Sequence, residues 1–301
     1  MPQGKERTMK IGLSTYSLAP LFNEGKIDGP GAIGYFAEIG AEHVEMVPLR
    51  NLELAGNDPL IRQVREKAAA CGLDISSYTV GANFTCVGPD ARETTAAEVK
   101  AEIERVKREV DTGAALGVRF MRHDAGSQPP ENRTSTFFER DFPKVVDACR
   151  EIADYAKRFG ITTSVENHGF HFQGSERIRR LVERVDRPNF RTTLDTGNFL
   201  AVDEDPLIAT MNNIGIASFI HFKDCYYRKS VPFTENWIPT THGRHFRGAI
   251  IGHGDLDMPA IVGTIRSSGY DGYISIESHS LEDPKFGAKL SLENTKALFR
   301  E

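Results

Sequence analysis

At 301 residues, with 40% hydrophobic and 26% charged side chains, the chain reads as a globular, soluble protein with enough length for one large core or two ordinary ones. Its net charge of -5 argues against a nucleic-acid binder, which needs a basic face to release counterions from phosphates. There is no apolar run of about 18 residues, and the charged start MPQGKERTMK has no apolar stretch behind it, so neither a membrane span nor an export signal is expected.

In chain order the sequence repeats one unit, an amphipathic helix, a glycine, then a short strand. After a first strand at Ile11 to Tyr16, Gly40 precedes AEHVEMV, Gly72 precedes LDISSY, Gly117 precedes VRFMR and Gly160 precedes ITTSVE, with Gly215 and Gly269 in the same position further on. Glycine suits the left-handed residue just past a helix end, so each is read as a helix-to-strand joint. Phe190 to Asp195, after Pro188, brings the strand count to eight. The expected helices are Gly31 to Ile39, Pro59 to Cys71, Thr94 to Leu116, Phe137 to Phe159, Glu176 to Val185, Pro206 to Ile214, Pro259 to Ser268 and Leu292 to Phe299, several with apolar residues at three- and four-residue spacing. Cys71, Cys86, Cys149 and Cys225 are scattered and form no CxxC pair, which predicts reduced thiols and a cytoplasmic protein.

Eight alternating strands and helices predict a single (β/α)8 TIM barrel over residues 1–301, with an open doubly wound sheet as the competing topology. No G-x-G-x-x-G follows the first strand, which weighs against the open sheet. In a barrel the chemistry lies where strands end. Strand five ends at Glu166, strand six at Asp195, strand seven at His221 and strand eight at Glu277. Singly, a strand-end aspartate is a common helix cap and an inward histidine a common core residue. Together, at one point of the repeat, they predict a metal site. Three carboxylates and one imidazole favour a hard or borderline divalent ion, Mn²⁺ first and then Co²⁺ or Mg²⁺.

The chain resembles the sugar isomerase and epimerase superfamily with the xylose isomerase-like barrel, which includes ketose 3-epimerases, hydroxypyruvate isomerase and inosose dehydratase. The likeness runs through IGLSTYS, VENH, LDTGN, HFKD, GHGDLD and ISIES. It implies that Glu166, Asp195, His221 and Glu277 are metal ligands and that Glu166 and Glu277 are the paired acid/base carboxylates. Asn198 is a departure, since ketose 3-epimerases often carry histidine three residues after the aspartate.

A hydroxyketone held on such an ion has an acidified C–H, so a carboxylate can remove the proton through a metal-stabilised enediolate, and a second glutamate can return one elsewhere. This predicts a metal-dependent sugar isomerase or epimerase. Loss of a β-substituent at the same centre gives the alternative, a lyase of the inosose dehydratase type or the catalytic subunit of an enzyme cleaving 3-keto-glycosides or C-glycosides. A non-catalytic partner subunit and an abasic-site endonuclease fit less well, the first because the ligand set is intact, the second because it needs more zinc ligands and a basic groove.

His168, Asn198, Lys223 and Arg228 are the expected substrate contacts. His168 has an equal alternative in ordering Glu166, and for Lys223 a salt bridge inside the barrel is the slightly favoured role. Glu45 and His123 are expected as rim hydrogen-bonding groups, and Tyr16 as core or cavity wall. Residues 226–254 join strand seven to its helix through about 30 residues, far beyond the usual two to six, and read as a lid. With Arg228, Trp237, His242, Arg244, His245, Arg247 and His253 it predicts a cationic and aromatic cover, against the alternatives of a solvated loop or subunit contact. The absence of a phosphate-binding glycine loop favours an unphosphorylated sugar, polyol or oxidised glycoside.

Overall fold

The computed structural model describes residues 9–300, so the charged stretch MPQGKERT lies outside the described residues. Eight parallel strands close into a barrel: β1 (Lys10–Ser14), β2 (His43–Met46), β3 (Asp74–Val80), β4 (Phe120–His123), β5 (Thr162–Glu166), β6 (Phe190–Asp195), β7 (Ala217–Phe222) and β8 (Tyr273–Ile276). Closure decides against the open sheet, because Leu13 of β1 pairs with both Ile276 of β8 and Val44 of β2. Register shifts at Val44/Glu45 and Thr192/Thr193 interrupt the ladders just before the functional ends of β2 and β6.

The helices around it are α1 (Gly29–Glu38), α2 (Asp58–Cys71), α3 (Ala96–Leu116), α4 (Ser135–Ala156), α5 (Ser175–Val185), α6 (Pro206–Asn213), α7 (Met258–Ser268) and α8 (Pro284–Arg300). Side-chain caps explain several starts: Asp28 accepts from Gly31 N–H, Asp205 from Ile208 N–H, and Thr95 with Glu98 forms a capping box. The last helix begins at Pro284, well before the expected Leu292, because Asp283 accepts from Phe286 N–H and proline is preset for a first turn. Gly40, Gly72, Gly117, Gly160 and Gly269 have positive φ, as their place at helix ends requires. Gly215 does not; it sits in a single 3-10 turn, Ile214–Ile216, that leads directly into β7. Asp186, with φ of 50°, is the left-handed residue before β6 instead.

The barrel floor is aromatic, with His43, Phe120, Phe219 and Tyr273 in mutual contact at ring distances of 4.9 to 6.2 Å. Gly12 lies against His43, and a Cβ there would stand 2.1 Å from the His43 carbonyl oxygen. Beside the barrel, Asp141 of α4 is fully buried and accepts from His171 Nε2 at 3.1 Å and Gln128 Nε2 at 2.8 Å, with Arg140 at 2.9 Å and Lys144 at 3.1 Å.

The segment expected as a loop at 226–254 is an antiparallel sheet. Asp224–Arg228 pairs with His245–Ala249, which pairs with Ile238–Pro239. Its root is the Asp224 carboxylate, which accepts from the backbone N–H groups of Cys225 (2.8 Å), Gly252 (2.9 Å), Gly254 (2.8 Å) and Leu256 (3.4 Å). Among the described residues, no helix is long and apolar enough to cross a membrane.

Candidate metal centre and active site

Glu166 and Asp195 close β5 and β6, His221 sits at the end of β7, and Glu277 follows β8 directly. One donor atom from each lies within 4.8 Å of the others, and all four side chains are buried. Each is aimed by a local contact. Asp195 Oδ1 accepts from the N–H groups of Gly197 and Asn198, both at 2.8 Å, which turns Oδ2 toward the centre and Lys223. His221 Nε2 is held 2.9 Å from Glu45 Oε1, which leaves Nδ1 turned to Glu166 at 3.3 Å and Glu277 at 3.5 Å. Asn198 Nδ2 donates to Glu166 Oε1 at 2.9 Å, and Arg122 Nη2 lies 2.5 Å from Glu166 Oε2.

This donor set fits a divalent ion. His221 Nδ1 and Asp195 Oδ2 are buried without a hydrogen-bond partner, although Lys223 Nζ stands 2.8 Å from the latter as an ion pair. Buried polar atoms are rarely left so, and two of them converging with carboxylate oxygens make a cation cradle. Charge points the same way: Glu45, Asp124, Glu166, Asp195 and Glu277 face only two permanent cations, Arg122 and Lys223. Burial disfavours the ionised form of Glu166, yet Arg122 and His221 hold it well below the carboxylate range. Burial likewise opposes ionised Glu277, and His221 and Lys223 bring it to about 2. Asp195 is pushed up to about 6 by burial, with Lys223 opposing and Glu166 and Glu277 adding to the rise. Burial works against a charged His221, but Glu277, Glu45 and Glu166 pull it well above its ordinary value. The negative field that draws a proton to that imidazole is the field a divalent cation would neutralise.

A cavity of about 340 Å³ opens above these residues, within the range of small-molecule sites. His168, Asn198, Lys223 and Tyr16 line it, as does Glu277. His168 bonds Asp124 at 3.0 Å rather than ordering Glu166. Lys223 bridges Asp195 and Glu277, the latter at 3.0 Å, so its salt bridge and its place in the cavity wall coexist. Arg228 is not brought to the cavity: half exposed on the outer sheet, it pairs with Asp255. None of Trp237, His242, Arg244, His245, Arg247 and His253 lines the cavity either; that segment contributes Ile238, Phe246 and Gly248. The expected cationic cover is therefore an apolar one. His123 packs between Phe84 and Phe190 outside the barrel, and Glu45 lies beneath His221.

Sequence reasoning missed Arg122, His279, Thr79 and Phe170, all in the cavity wall. Arg122 was findable, because it sits two residues beyond Phe120 on the inward face of β4. A larger open groove of about 980 Å³ lies at the opposite end of the barrel, lined by Asp74, Arg119 and Tyr273 at strand starts, far from the ligand cluster.

The profile of the xylose isomerase-like TIM barrel family matches residues 33–298. The chain belongs to that family. Similar proteins include two inosose dehydratases of Lacticaseibacillus casei, one from strain BL23, each 25% identical over 150 residues. The match covers 49% of this chain, which spans about half the length of those relatives. A 2-epi-5-epi-valiolone 7-phosphate 2-epimerase of Actinoplanes sp. is 28% identical over 221 residues, covering 72% of this chain and 73% of its own. Among solved structures, D-allulose 3-epimerase from Methylomonas sp. superposes with a TM-score of 0.72 at 16% identity, covering 98% of this chain and all of that one. The probable 3-DHS dehydratase involved in petrobactin synthesis from Bacillus anthracis reaches 0.73 at 17% identity, covering 96% and 99%. At these identities the structural matches speak to the fold. Within the family's barrel, the cluster on β5 to β8 occupies the strand ends where such barrels place their chemistry.

Proposed function

We propose that this chain is a divalent-metal-dependent sugar isomerase or epimerase, acting on a small sugar or polyol ketone by moving a proton at the carbon beside the carbonyl. The observation that carries this reading is the pair Glu166 and Glu277, two buried carboxylates that reach the same His221 nitrogen at 3.3 and 3.5 Å from well-separated strands of the ring. Two carboxylates on different sides of one small cavity can take a proton from one face of a carbon and return one to another. Glu166, Asp195, His221 and Glu277 would hold the ion, with Mn²⁺ the best match to the donors and Co²⁺ or Mg²⁺ next. A bound ion supplies positive charge for the oxygen that gains negative charge in the reaction.

The chain's own side chains supply the rest. Arg122 keeps Glu166 ionised, and Asn198 fixes its orientation. Lys223, tied to Asp195, Glu277 and Asn198, presents an ammonium group at the cavity wall that can steady a substrate oxygen. His168, half exposed beside Asp124, can exchange protons with solvent at the rim. The inosose dehydratases among the relatives support a second reading, a lyase on the same centre. Incubation of the Mn²⁺-loaded protein with ketoses and 3-keto-glycosides in D₂O separates the two. Deuterium beside the carbonyl of a recovered isomer supports the first reading, and an unsaturated product or a released aglycone supports the lyase. Glu277→Gln is expected to keep the fold and much of the metal binding while losing on the order of 10²–10⁴ in rate. Full turnover in that variant would sink the paired-carboxylate mechanism.

A further inference from the structure

The cavity is divided by polarity. Arg122, Glu166, Lys223 and Glu277 occupy its inner end. Another part of the wall comes from a satellite hydrophobic cluster of Leu200, Ala201, Cys225 and Phe246, against which Phe170 and Tyr227 pack. None of those four buried residues is part of the barrel core. Phe170, Ala201, Cys225 and Phe246 face the cavity together with Ile238, which remains 44% exposed at the tip of the outer sheet.

Phe170 is the unusual member. Its φ is +63°, in the left-handed region that a bulky aromatic residue rarely adopts. The surroundings impose it. Its N–H donates to Gln173 Oε1 at 2.5 Å, Gln173 in turn donates to the Asn198 carbonyl, and the Arg133 guanidinium lies 3.9 Å from the ring centroid. Arg133 is itself held by the Gln128 carbonyl at 2.9 Å. A backbone conformation suited to glycine is thus kept for an aromatic ring braced on one side by a cation, in a cavity whose other large apolar groups, Ile238 and Phe246, come from a separate sheet. Strain held in this way at a site boundary points to a ligand-facing role. A sugar alone has no apolar face large enough to cover Phe170, Ile238 and Phe246.

We infer that this wall receives a flat apolar substituent, so that the substrate class is a polyol ketone carrying an aryl group, with the polyol against the charged end and the ring on the apolar wall that Phe170, Ile238 and Phe246 supply. The inference rests on the reading of the charged end as a proton-transfer centre, but its test is a binding measurement. The full chain loaded with Mn²⁺ is titrated by calorimetry with 4-nitrophenyl β-D-glucopyranoside and with methyl β-D-glucopyranoside. Quenching of Trp237, the one tryptophan of the chain and the neighbour of Ile238, serves as a second readout. The aryl glycoside is expected to bind about tenfold more tightly or better, from the apolar area it covers. In Phe170→Gly and in Ile238→Ser that preference falls to near parity. Phe170→Gly relieves the strained φ but loses the ring's packing against Arg133 and the satellite cluster, so thermal melts of both variants establish that they are folded at the titration temperature. Equal binding of the two glycosides by wild type overturns the inference, as does an aryl preference that survives both substitutions. Deuterium exchange with ketoses is read separately: its absence would remove the proton-transfer reading and leave the aryl preference standing, whereas equal binding with exchange intact would remove the aryl subsite alone.

Discussion

Replacing Glu45 by glutamine tests how His221 is aimed. Glu45 is fully buried; its Oε1 accepts from His221 Nε2 at 2.9 Å and Thr79 Oγ1 at 2.5 Å, and its Oε2 accepts from Ser275 Oγ at 2.8 Å. The carboxylate therefore fixes Nε2 as the protonated nitrogen and leaves the Nδ1 lone pair for the centre. Glutamine has the same shape, and its amide oxygen can accept from His221 and Thr79 while its NH₂ donates to Ser275. Packing and tautomer survive, so what is lost is the negative charge behind the imidazole. Carboxylates in this position carry roughly 10–100-fold in metal affinity, or about 1.4–2.8 kcal/mol at about 1.4 kcal/mol per decade. Glu45→Ala should do worse, because a buried Nε2–H without an acceptor adds about 1–3 kcal/mol. Calorimetric titration of the chelator-stripped protein with Mn²⁺ measures the first number, and urea denaturation of the metal-free forms the second. If Glu45→Gln binds Mn²⁺ as tightly as wild type, the Glu45 charge does not strengthen His221 as a ligand and the reasoning is refuted.

Two further predictions concern the scaffold. In Gly12→Ala the new Cβ would meet the His43 carbonyl oxygen at 2.1 Å and ring carbons at 2.7 Å. His43 is pinned through Nε2 to the Ile274 carbonyl at 2.9 Å and cannot retreat, so a loss of about 3 kcal/mol, the upper end for overpacking, is expected in urea denaturation; wild-type stability would show that the wall yields. Burial would raise the Asp141 carboxyl, but His171, Arg140, Lys144 and Gln128 hold it at about 2, below its ordinary 3.8. The folded value lies below the unfolded one, so this stabilisation is complete above about pH 4 and disappears as the pH falls toward 2. Asp141→Asn should therefore be about 2 kcal/mol less stable at neutral pH, with the gap closing in acid; a gap that does not change with pH refutes the assignment.

The repeat of helix, glycine and strand made the barrel legible, because left-handed caps and strand ends are local features of the chain. Glu166, Asp195, His221 and Glu277 could be picked out for the same reason, each standing at the end of its strand, and the structure brings their donor atoms together. What escaped depends on contacts between distant segments. His123 drew attention as the last residue of β4, yet strand parity sends it outward to Phe84 and Phe190 while Arg122 enters the cavity. The role of Glu45 exists only across the barrel, through a histidine 176 positions away. The outer sheet pairs Asp224–Arg228 with His245–Ala249 across a wide excursion with no tight-turn signature, so its charged residues looked like a cover although its apolar ones face the cavity.

The Asp224 carboxylate gives that excursion a particular evolutionary freedom. By gathering amide groups from both ends of the insert, it fixes where the chain leaves the barrel and where it returns. Closure entropy grows only with the logarithm of length, about 0.6 kcal/mol for each doubling, so the intervening residues can lengthen, shorten or change composition at little thermodynamic cost. The strand ends that bear the four converging donors need not shift when this happens. The tip of one appendage can then be rewritten while the four donors keep their places.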